Sequence, residues 1–276
     1  ALDSNEDGAR SETEADAGPS GATDAGSEKP SAIQARAAAA KAADHERARQ
    51  DELAEASRLL SSAYSDATQR SMANVDESLL NYELIEMLIG AIARAEREGG
   101  EGALVARFAD GAIPKRSEPS EKGAVLVFLP GQMEITRLIR DCERSRHLRE
   151  EDVGPLQFLP LYGALSSGDQ RRIFARAPPG VRKVVVATNI AETSVTIDDV
   201  RYVIDTGRAK EMGYDSARGL SVLADAWISR AASMQRRGRA GRTAPGACFA
   251  LFSRRGRANL TPHQPPEMLR TPLQQL

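Results

Sequence analysis

The 276 residues hold 37 basic and 39 acidic side chains, for a formal net charge of −2. Two cysteines, Cys142 and Cys248, and three scattered histidines lack the spacing of metal ligands, which excludes a disulfide framework or a zinc site and indicates a reducing compartment. Because no apolar run approaches about 18 residues and no signal-peptide pattern opens the chain, we expect an intracellular protein, cytoplasmic or nuclear, without a membrane partner.

The opening of the chain differs in composition from the rest. Residues 1–30 carry eight acidic and two basic side chains and few large apolar ones, which predicts disorder. Their charge is −6, so with a total of −2 the remaining residues sum to +4. Residues 31–60 are rich in Ala, Arg and Glu, which favours helix but offers little apolar face. We expect residues 1–60 to be an acidic, Ala-rich linker or insertion, disordered and then helical.

A second helix is predicted in the stretch LLNYELIEMLIGAIARAERE, residues 79–98. Apolar side chains recur there at i, i+3 and i+4, the spacing that puts them on one face of a helix. We expect this helix to dock on a core through Leu80, Leu84, Met87, Leu88 and Ala91.

After Gly123, short apolar strands alternate with helices. The first strand, AVLVFLP, is almost wholly apolar and ends at Pro-Gly, which is typical of a strand buried on both faces of a parallel sheet. Further strands are predicted at 156–163, 183–188, 200–207 and 247–253, and helices at 134–143 and 166–175. This alternation predicts an α/β fold, a doubly wound parallel sheet with flanking helices.

Polar loops leave the carboxyl ends of these strands, where ligands gather in such sheets. Thr188, Asn189, Thr193 and Ser194 cluster after the third strand and have the chemistry to bind a sugar-phosphate backbone. The same residue types also cap helices and form turns by bonding nearby backbone groups. For any single one of these residues, both interpretations stay open.

The stretch QRRGRAGR concentrates four arginines in eight residues. On a continuous helix, Gln235, Arg239 and Arg242 fall within about 60° of one another, and together they form a fork of donors suited to phosphate oxygens. Gly238 and Gly241 each cost a helix about 1 kcal/mol, which suggests a close approach of backbone or ligand. A plain basic patch and a packing role are the alternatives.

Two other patterns are set aside. Asp205-Thr206-Gly207 follows an apolar strand, as in aspartic proteases, but it occurs once and in an α/β context, whereas that chemistry needs two carboxylates. The tetrapeptide DELA at Asp51 superficially resembles an Asp-Glu box. It lies in a charged helical tract without a preceding apolar strand, so we assign it no such role. The sequence also lacks the G-x-x-x-x-G-K-[ST] phosphate loop and the G-x-G-x-x-G of a dinucleotide enzyme.

Four stretches resemble, in order, motifs of the DEAH-box RNA helicases of the RNA helicase A-like branch. VLVFLPGQMEI resembles motif IV, QRRIF motif IVa, ATNIAETSVTIDDVRYVIDTG motif V, and QRRGRAGRTAPGACFALFS motif VI. The resemblance spans residues 64–276. It implies a RecA-like fold, with the second RecA-like lobe over residues 61–255 and the start of a truncated winged-helix domain at 256–276.

The resemblance also assigns roles to residues on the nucleotide side. It implies that Arg239 and Arg242 reach the γ-phosphate of ATP, one of them as an arginine finger, and that Gln235 orients phosphate or the attacking water. Thr196 and Asp198 would approach the ribose. Phe174 would stack on adenine, although the apolar face of its own helix explains this residue equally well. The ATP and its Mg²⁺ would be held mainly by the first lobe.

On the nucleic-acid side, the resemblance implies that Thr188, Asn189 and Ser194 contact RNA phosphates and that Gly131 lets the backbone approach RNA. The segment from Lys210 to Ala224 would be a β-hairpin that helps to separate duplexes. We expect a lobe of an ATP-dependent RNA helicase that needs the first lobe and the winged-helix region as partners and is inactive alone. The alternative is a stand-alone, non-catalytic RNA-binding or regulatory module.

Overall fold

The computed structural model describes residues 32–99, 123–215, 220–242 and 245–264. The chain divides into two compact units, Ala1–Glu46 and Arg47–Leu276. Of the first unit, the described residues belong to helix α1 (Ala32–Ala63), which continues into the second. The disorder predicted for residues 1–30 and most of the predicted winged-helix start lie outside the described residues, so the domain boundaries stay predictions.

The second unit is built on a five-stranded parallel sheet. Its strands are β1 (Ala124–Phe128), β2 (Leu156–Leu161), β3 (Arg182–Ala187), β4 (Val200–Asp205) and β7 (Ala247–Ala250). They lie in the order β2-β3-β1-β4-β7, and all four neighbouring pairs are parallel. The predicted RecA-like, doubly wound α/β fold is confirmed.

Helices connect and cover the strands. They are α2 (Asp66–Ala73), α3 (Tyr82–Gly99), α4 (Gln132–Arg144), α5 (Ser167–Phe174), α6 (Ile190–Thr193), α7 (Arg230–Gly238) and α8 (Arg254–Asn259), with 3-10 turns at His147–Arg149 and Arg239–Gly241. Helix α5 begins where the sequence predicts a capped helix, since the Ser166 hydroxyl accepts a hydrogen bond from the Asp169 amide. This is N-capping of the usual kind.

The core forms on both faces of the sheet because β1 and β3 are buried along their whole length. On one face, Val125, Val127 and Val184 pack with α3 and α4. On the other face, Leu126, Phe128 and Val185 pack with α5, α6 and the 3-10 turn after α7. Successive strand residues alternate between the two faces, which explains the continuous apolar runs seen in the sequence.

Helix α3 docks as predicted, through a face that overlaps the predicted one only in part. The side chains buried against the sheet include Ile85, Ile89 and Ile92, at i, i+4 and i+7. Of the predicted residues, Leu80 and Leu88 pack against this core, whereas Leu84 and Met87 are about half exposed. The helix is apolar on more than one side, and periodicity alone does not choose between two apolar stripes.

An antiparallel hairpin stands apart from the parallel sheet. Strands β5 (Arg208–Asp215) and β6 (Leu220–Trp227) pair with Met212 opposite Leu223, so the expected hairpin is present, and both of these side chains are exposed. At its base, Arg208 lies over the Trp227 ring at 4.4 Å. The Lys210 ammonium contacts the Glu134 carboxylate of α4 at 2.9 Å, which ties the hairpin to the first turn of that helix.

Candidate functional site

The carboxyl ends of the five parallel strands meet along one edge of the sheet. The Leu129 amide donates to Ala187 O at 2.8 Å, the Thr188 amide donates to Leu161 O at 3.0 Å, and the Leu251 amide donates to Asp205 O at 2.8 Å. These backbone bonds continue the ladder one residue beyond the strands. The predicted site residues that follow β1 and β3 are therefore brought to the same edge, as expected for a parallel α/β sheet.

The polar loop after β3 forms the short helix α6. The carbonyls of Thr188 and Asn189 accept hydrogen bonds from the Ala191 and Glu192 amides, at 3.2 and 2.9 Å. Asn189 occupies the N-cap position without a side-chain cap hydrogen bond, and Ser194 follows the helix as its C-cap. The side chains of Asn189 and Ser194 are exposed. For Asn189, capping chemistry therefore does not account for the side chain.

The Arg242 guanidinium reaches this same loop. It is exposed, and its Nη1 donates to the Thr196 hydroxyl at 2.7 Å. The structure thus brings together the predicted arginine-finger candidate and a residue predicted to lie near the ribose. A guanidinium has five N–H donors, and among the described residues one hydroxyl engages it, which leaves other donors for a further acceptor.

Arg239 differs from Arg242 in its burial and in its partners. Its side chain is buried, Nε donates to Glu192 O at 2.9 Å, and Nη1 donates to Val195 O at 2.7 Å. A further bond joins Nη2 to Glu192 O. Burial lowers the pKa of Arg239, and the nearby Arg242 lowers it further. In this conformation Arg239 caps the carbonyls at the end of α6.

The expected common face of Gln235, Arg239 and Arg242 is present only in part. Arg239 and Arg242 both contact the segment from Glu192 to Thr196, whereas Gln235 is exposed and Arg239 is buried. Helix α7 ends at Gly238 and continues as a 3-10 turn, and the shared face assumed an uninterrupted α-helix. A Cβ added at Gly238 would meet no atom of the described chain within 4 Å, so the approach of a ligand there stays a prediction.

Arg236, which the sequence analysis left aside, is the most buried cation of the site. It is 0% exposed; its Nη1 donates to Asp205 at 2.9 Å and its Nε to Glu192 at 3.1 Å. Its guanidinium also lies 4.7 Å from the centre of the Phe128 ring. Arg236 therefore joins α7, α6 and the end of β4, a role that no local pattern reveals because its partners are distant in sequence.

The Asp205-Thr206-Gly207 turn takes part in the hydrogen-bond network around Arg236. Asp205 accepts from Arg236 and from the Gly207 amide at 2.9 Å, while the Thr206 hydroxyl donates to Phe128 O at 2.8 Å. Gly207 has φ +71°, and a Cβ there would lie 2.6 Å from the ring of Phe252. Only glycine fits both the left-handed conformation and this close approach. The carboxylate is thus held in a buried ion pair.

The remaining predicted residues do not all lie at this edge, since Phe174 precedes β3 and Asp198 precedes β4 in the chain. Phe174 ends α5 and is 52% exposed, while its neighbour Ile173 supplies the buried apolar contact of that helix. Asp198 is exposed in the loop before β4. Gly131 is buried beneath the Lys210–Glu134 pair, since a Cβ would lie 2.7 Å from the Lys210 ammonium.

Comparison with known proteins identifies the domain. A model of the helicase conserved C-terminal domain matches residues 108–244. These residues, just under half of the chain, match a helicase C-terminal domain. The chain is similar to the DExH-box ATP-dependent RNA helicase DExH4, chloroplastic, of Arabidopsis thaliana, with 48% identity over 157 residues that cover 56% of this chain and 11% of that protein.

Two further proteins are similar to parts of this chain. The putative ATP-dependent RNA helicase DHX57 of Homo sapiens is 41% identical over 208 residues, which covers 75% of this chain and 14% of that protein. The crystal structure of the E. coli DExH-box NTPase HrpB aligns with a TM-score of 0.49 and 35% identity, covering 66% of this chain and 20% of that one. The chain therefore spans less than a fifth of the length of DExH4 and of DHX57.

Within the described ranges there is no group of three or more His, Cys, Asp or Glu that could hold a metal ion. Burial raises the pKa of both Cys142 and Cys248 to about 12, so both thiols stay protonated at neutral pH. Of the helices that the structure describes, none is long and apolar enough to cross a membrane.

Proposed function

We propose that this chain is the second RecA-like lobe of an ATP-dependent RNA helicase, and that it supplies an arginine finger and contacts to the RNA backbone. The observation that carries the proposal is the exposed Arg242 guanidinium, bound to Thr196 in the loop between α6 and β4. A cation there is suited to neutralise the charge that spreads over a transferred phosphoryl group. The relatives named above are RNA helicases described as ATP-dependent.

The predicted nucleotide contacts have side chains that fit the chemistry of ATP. Arg242 offers charged donors for phosphate, Thr196 and Asp198 offer polar groups for a ribose, and the half-exposed Phe174 ring offers a flat apolar surface for adenine. Bound ATP supplies a phosphoryl group and, with Mg²⁺ held mainly by the first lobe, the driving force for closure. We assign no metal ligand in the described residues, where no cluster of ligands is present.

The RNA side of the proposal uses the loop after β3. Thr188, Asn189 and Ser194 present hydroxyl and amide groups along α6, two of them on exposed side chains, and such groups bind phosphate oxygens. Gly131 lies at the adjacent end of β1, where the chain enters α4. These contacts would hold one strand of RNA by its backbone and would be independent of base sequence.

The proposed mechanism couples the nucleotide contacts to the RNA contacts through α6 and the residues directly after it. When the lobes close on ATP, Arg242 swings from Thr196 to the γ-phosphate, and Arg239 joins it by leaving the carbonyls of Glu192 and Val195. Gln235 orients the phosphate or the attacking water. Because those carbonyls terminate α6, which also carries the RNA contacts, release of Arg239 changes the support of the RNA-binding loop. Repeated closure would step the lobe along RNA.

The test is Arg242→Ala in the full-length protein, with Arg237→Ala as the matched control, since Arg237 is an exposed arginine of the preceding helix. We expect RNA-stimulated ATP hydrolysis to fall by about 10³-fold or more in Arg242→Ala, with RNA affinity retained, and to stay near wild type in the control. Unimpaired turnover in Arg242→Ala would refute the assignment. RNA binding that ATP does not alter in the wild-type protein would favour the non-catalytic module instead.

A further inference from the structure

A buried lysine on β3 has all its donors committed. Lys183 is 1% exposed, and its Nζ donates to Ile173 O and Ala175 O, each at 3.0 Å. The third partner is the Asp199 carboxylate at 2.8 Å. An ammonium has three donors, so this one is fully paired. Burying a charge costs several kcal/mol unless its partners compensate, and apolar packing would fill the space at less cost.

The three partners lie beside two predicted nucleotide contacts. Ile173 and Ala175 flank Phe174, the half-exposed aromatic residue at the end of α5. Asp199 follows Asp198 and is itself fixed to the sheet, since its carbonyl accepts from the Ala124 amide at 2.7 Å. One ammonium therefore joins the segment that ends in the exposed ring to the segment that carries the exposed carboxylate.

We infer that Lys183 is a positioning residue for the nucleoside part of ATP, because it fixes the backbone that presents Phe174 to the base and the loop that presents Asp198 to the ribose. This inference rests on the proposed function of the same site. Lys183 acts through these segments, since its own buried and fully paired ammonium has no donor left for a ligand. It sets the spacing between base and ribose contacts and leaves the phosphate chemistry to the arginines.

The neighbouring Arg182 provides a matched control. It is 2% exposed, donates to Gly123 O at 2.7 Å and lies 3.5 Å from the Glu96 carboxylate. Successive strand residues point to opposite faces of the sheet, so Arg182 faces α3 and Lys183 faces α5. Both are buried cations of one strand, and only Lys183 contacts the segments that carry Phe174 and Asp198.

The experiment compares Lys183→Met with Arg182→Met in the full-length protein. The dissociation constant of a non-hydrolysable ATP analogue is measured directly, alongside that of inorganic tripolyphosphate, which lacks base and ribose. Because stacking of a base on an aromatic ring strengthens nucleotide binding, we expect Lys183→Met to raise the dissociation constant of the analogue about tenfold. Tripolyphosphate binding is expected to be unchanged. In a Phe174→Ala background the additional effect of Lys183→Met should be reduced, since one of its two targets is gone.

The outcomes separate the inference from the proposed function. Equal weakening of analogue and tripolyphosphate, or the same weakening in Arg182→Met, would overturn the positioning role, as would unchanged analogue binding in Lys183→Met. If Lys183→Met does not fold, Asp199→Asn removes one partner of the ammonium and should weaken the analogue in the same base-dependent way. A protein that binds the analogue but shows no RNA-stimulated hydrolysis would refute the helicase function while still deciding the role of Lys183.

Discussion

The two faces of the sheet are held together by different physics. Under α3 and α4 the buried residues are nearly all apolar, and the described buried charges there belong to one group, in which Arg182 and Tyr202 meet Glu96. Under α5, α6 and α7, apolar residues are joined by buried cations at Lys183, Arg236 and Arg239. Arg236 and Arg239 hold α6 and the residues after it, whereas Lys183 holds the end of α5 and the loop before β4. Each of these segments carries predicted ligand contacts.

The two faces specify the positions of their segments in different ways. Apolar contacts are non-directional and tolerate repacking, which suffices for a face that covers the sheet. A buried guanidinium or ammonium that donates to several partners fixes both the distance and the direction of those partners. We infer that the buried charges make this face less stable than apolar packing would, and that they fix the positions of its loops more precisely.

The largest effect is expected from breaking the charged face at its centre. Arg236→Met leaves Asp205 and Glu192 buried without their cation, and removing one partner of a buried ion pair costs about 3–5 kcal/mol. We expect a decrease of about 4 kcal/mol in the free energy of unfolding, measured by urea denaturation. The control Arg237→Met changes an exposed arginine of the same helix and should stay within about 0.5 kcal/mol. Similar losses in the two variants would contradict the ion-pair role.

A somewhat smaller effect is expected from breaking the apolar face. Ile89 is fully buried on α3, and truncating such a side chain to alanine costs about 2–5 kcal/mol. We expect about 3 kcal/mol for Ile89→Ala in urea denaturation, against about 0.5 kcal/mol or less for Met87→Ala, whose side chain is about half exposed. If Met87→Ala cost as much as Ile89→Ala, the assignment of the docked face of α3 would be wrong.

Ile89→Ala and Arg236→Met together separate the effect on stability from the effect on site geometry. Under conditions in which both are folded, Ile89→Ala should leave ATP affinity unchanged because α3 packs on the far face of the sheet. Arg236→Met should reduce RNA-stimulated turnover, because Glu192 loses its partner and its carbonyl is also the acceptor of Arg239.

The smallest effect concerns the pH dependence of Glu192. Burial raises its pKa above the usual 4.5, and the attraction of Arg236 opposes this without cancelling it. Between 4.5 and the raised pKa the folded state binds more protons than the unfolded state, so this group's contribution to stability falls as pH rises through that window. Glu192→Gln removes the titration. We expect its free energy of unfolding relative to wild type to increase with pH from 4.5 upward and then level off; a pH-independent difference would contradict this.

Much of the fold could be predicted from local patterns. The apolar runs located all five parallel strands, because burial on both faces leaves a signal within a few residues. The common face of Gln235, Arg239 and Arg242 was predicted only in part, because the sequence does not show where an α-helix tightens into a 3-10 turn. The docked face of α3 was also predicted only in part, because two apolar stripes on one helix are equivalent until a sheet covers one of them.

The sequence by itself determined the strand and helix order, the parallel sheet and the set of residues at its carboxyl edge, since these depend on hydrophobic periodicity and chain connectivity. The tertiary structure alone decided which charges are buried and with which partners. Arg236 meets Asp205 across 31 residues, and Lys183 meets the end of α5 and the loop before β4. Such pairings form only when distant segments pack together, because a buried charge requires a partner that no local pattern specifies.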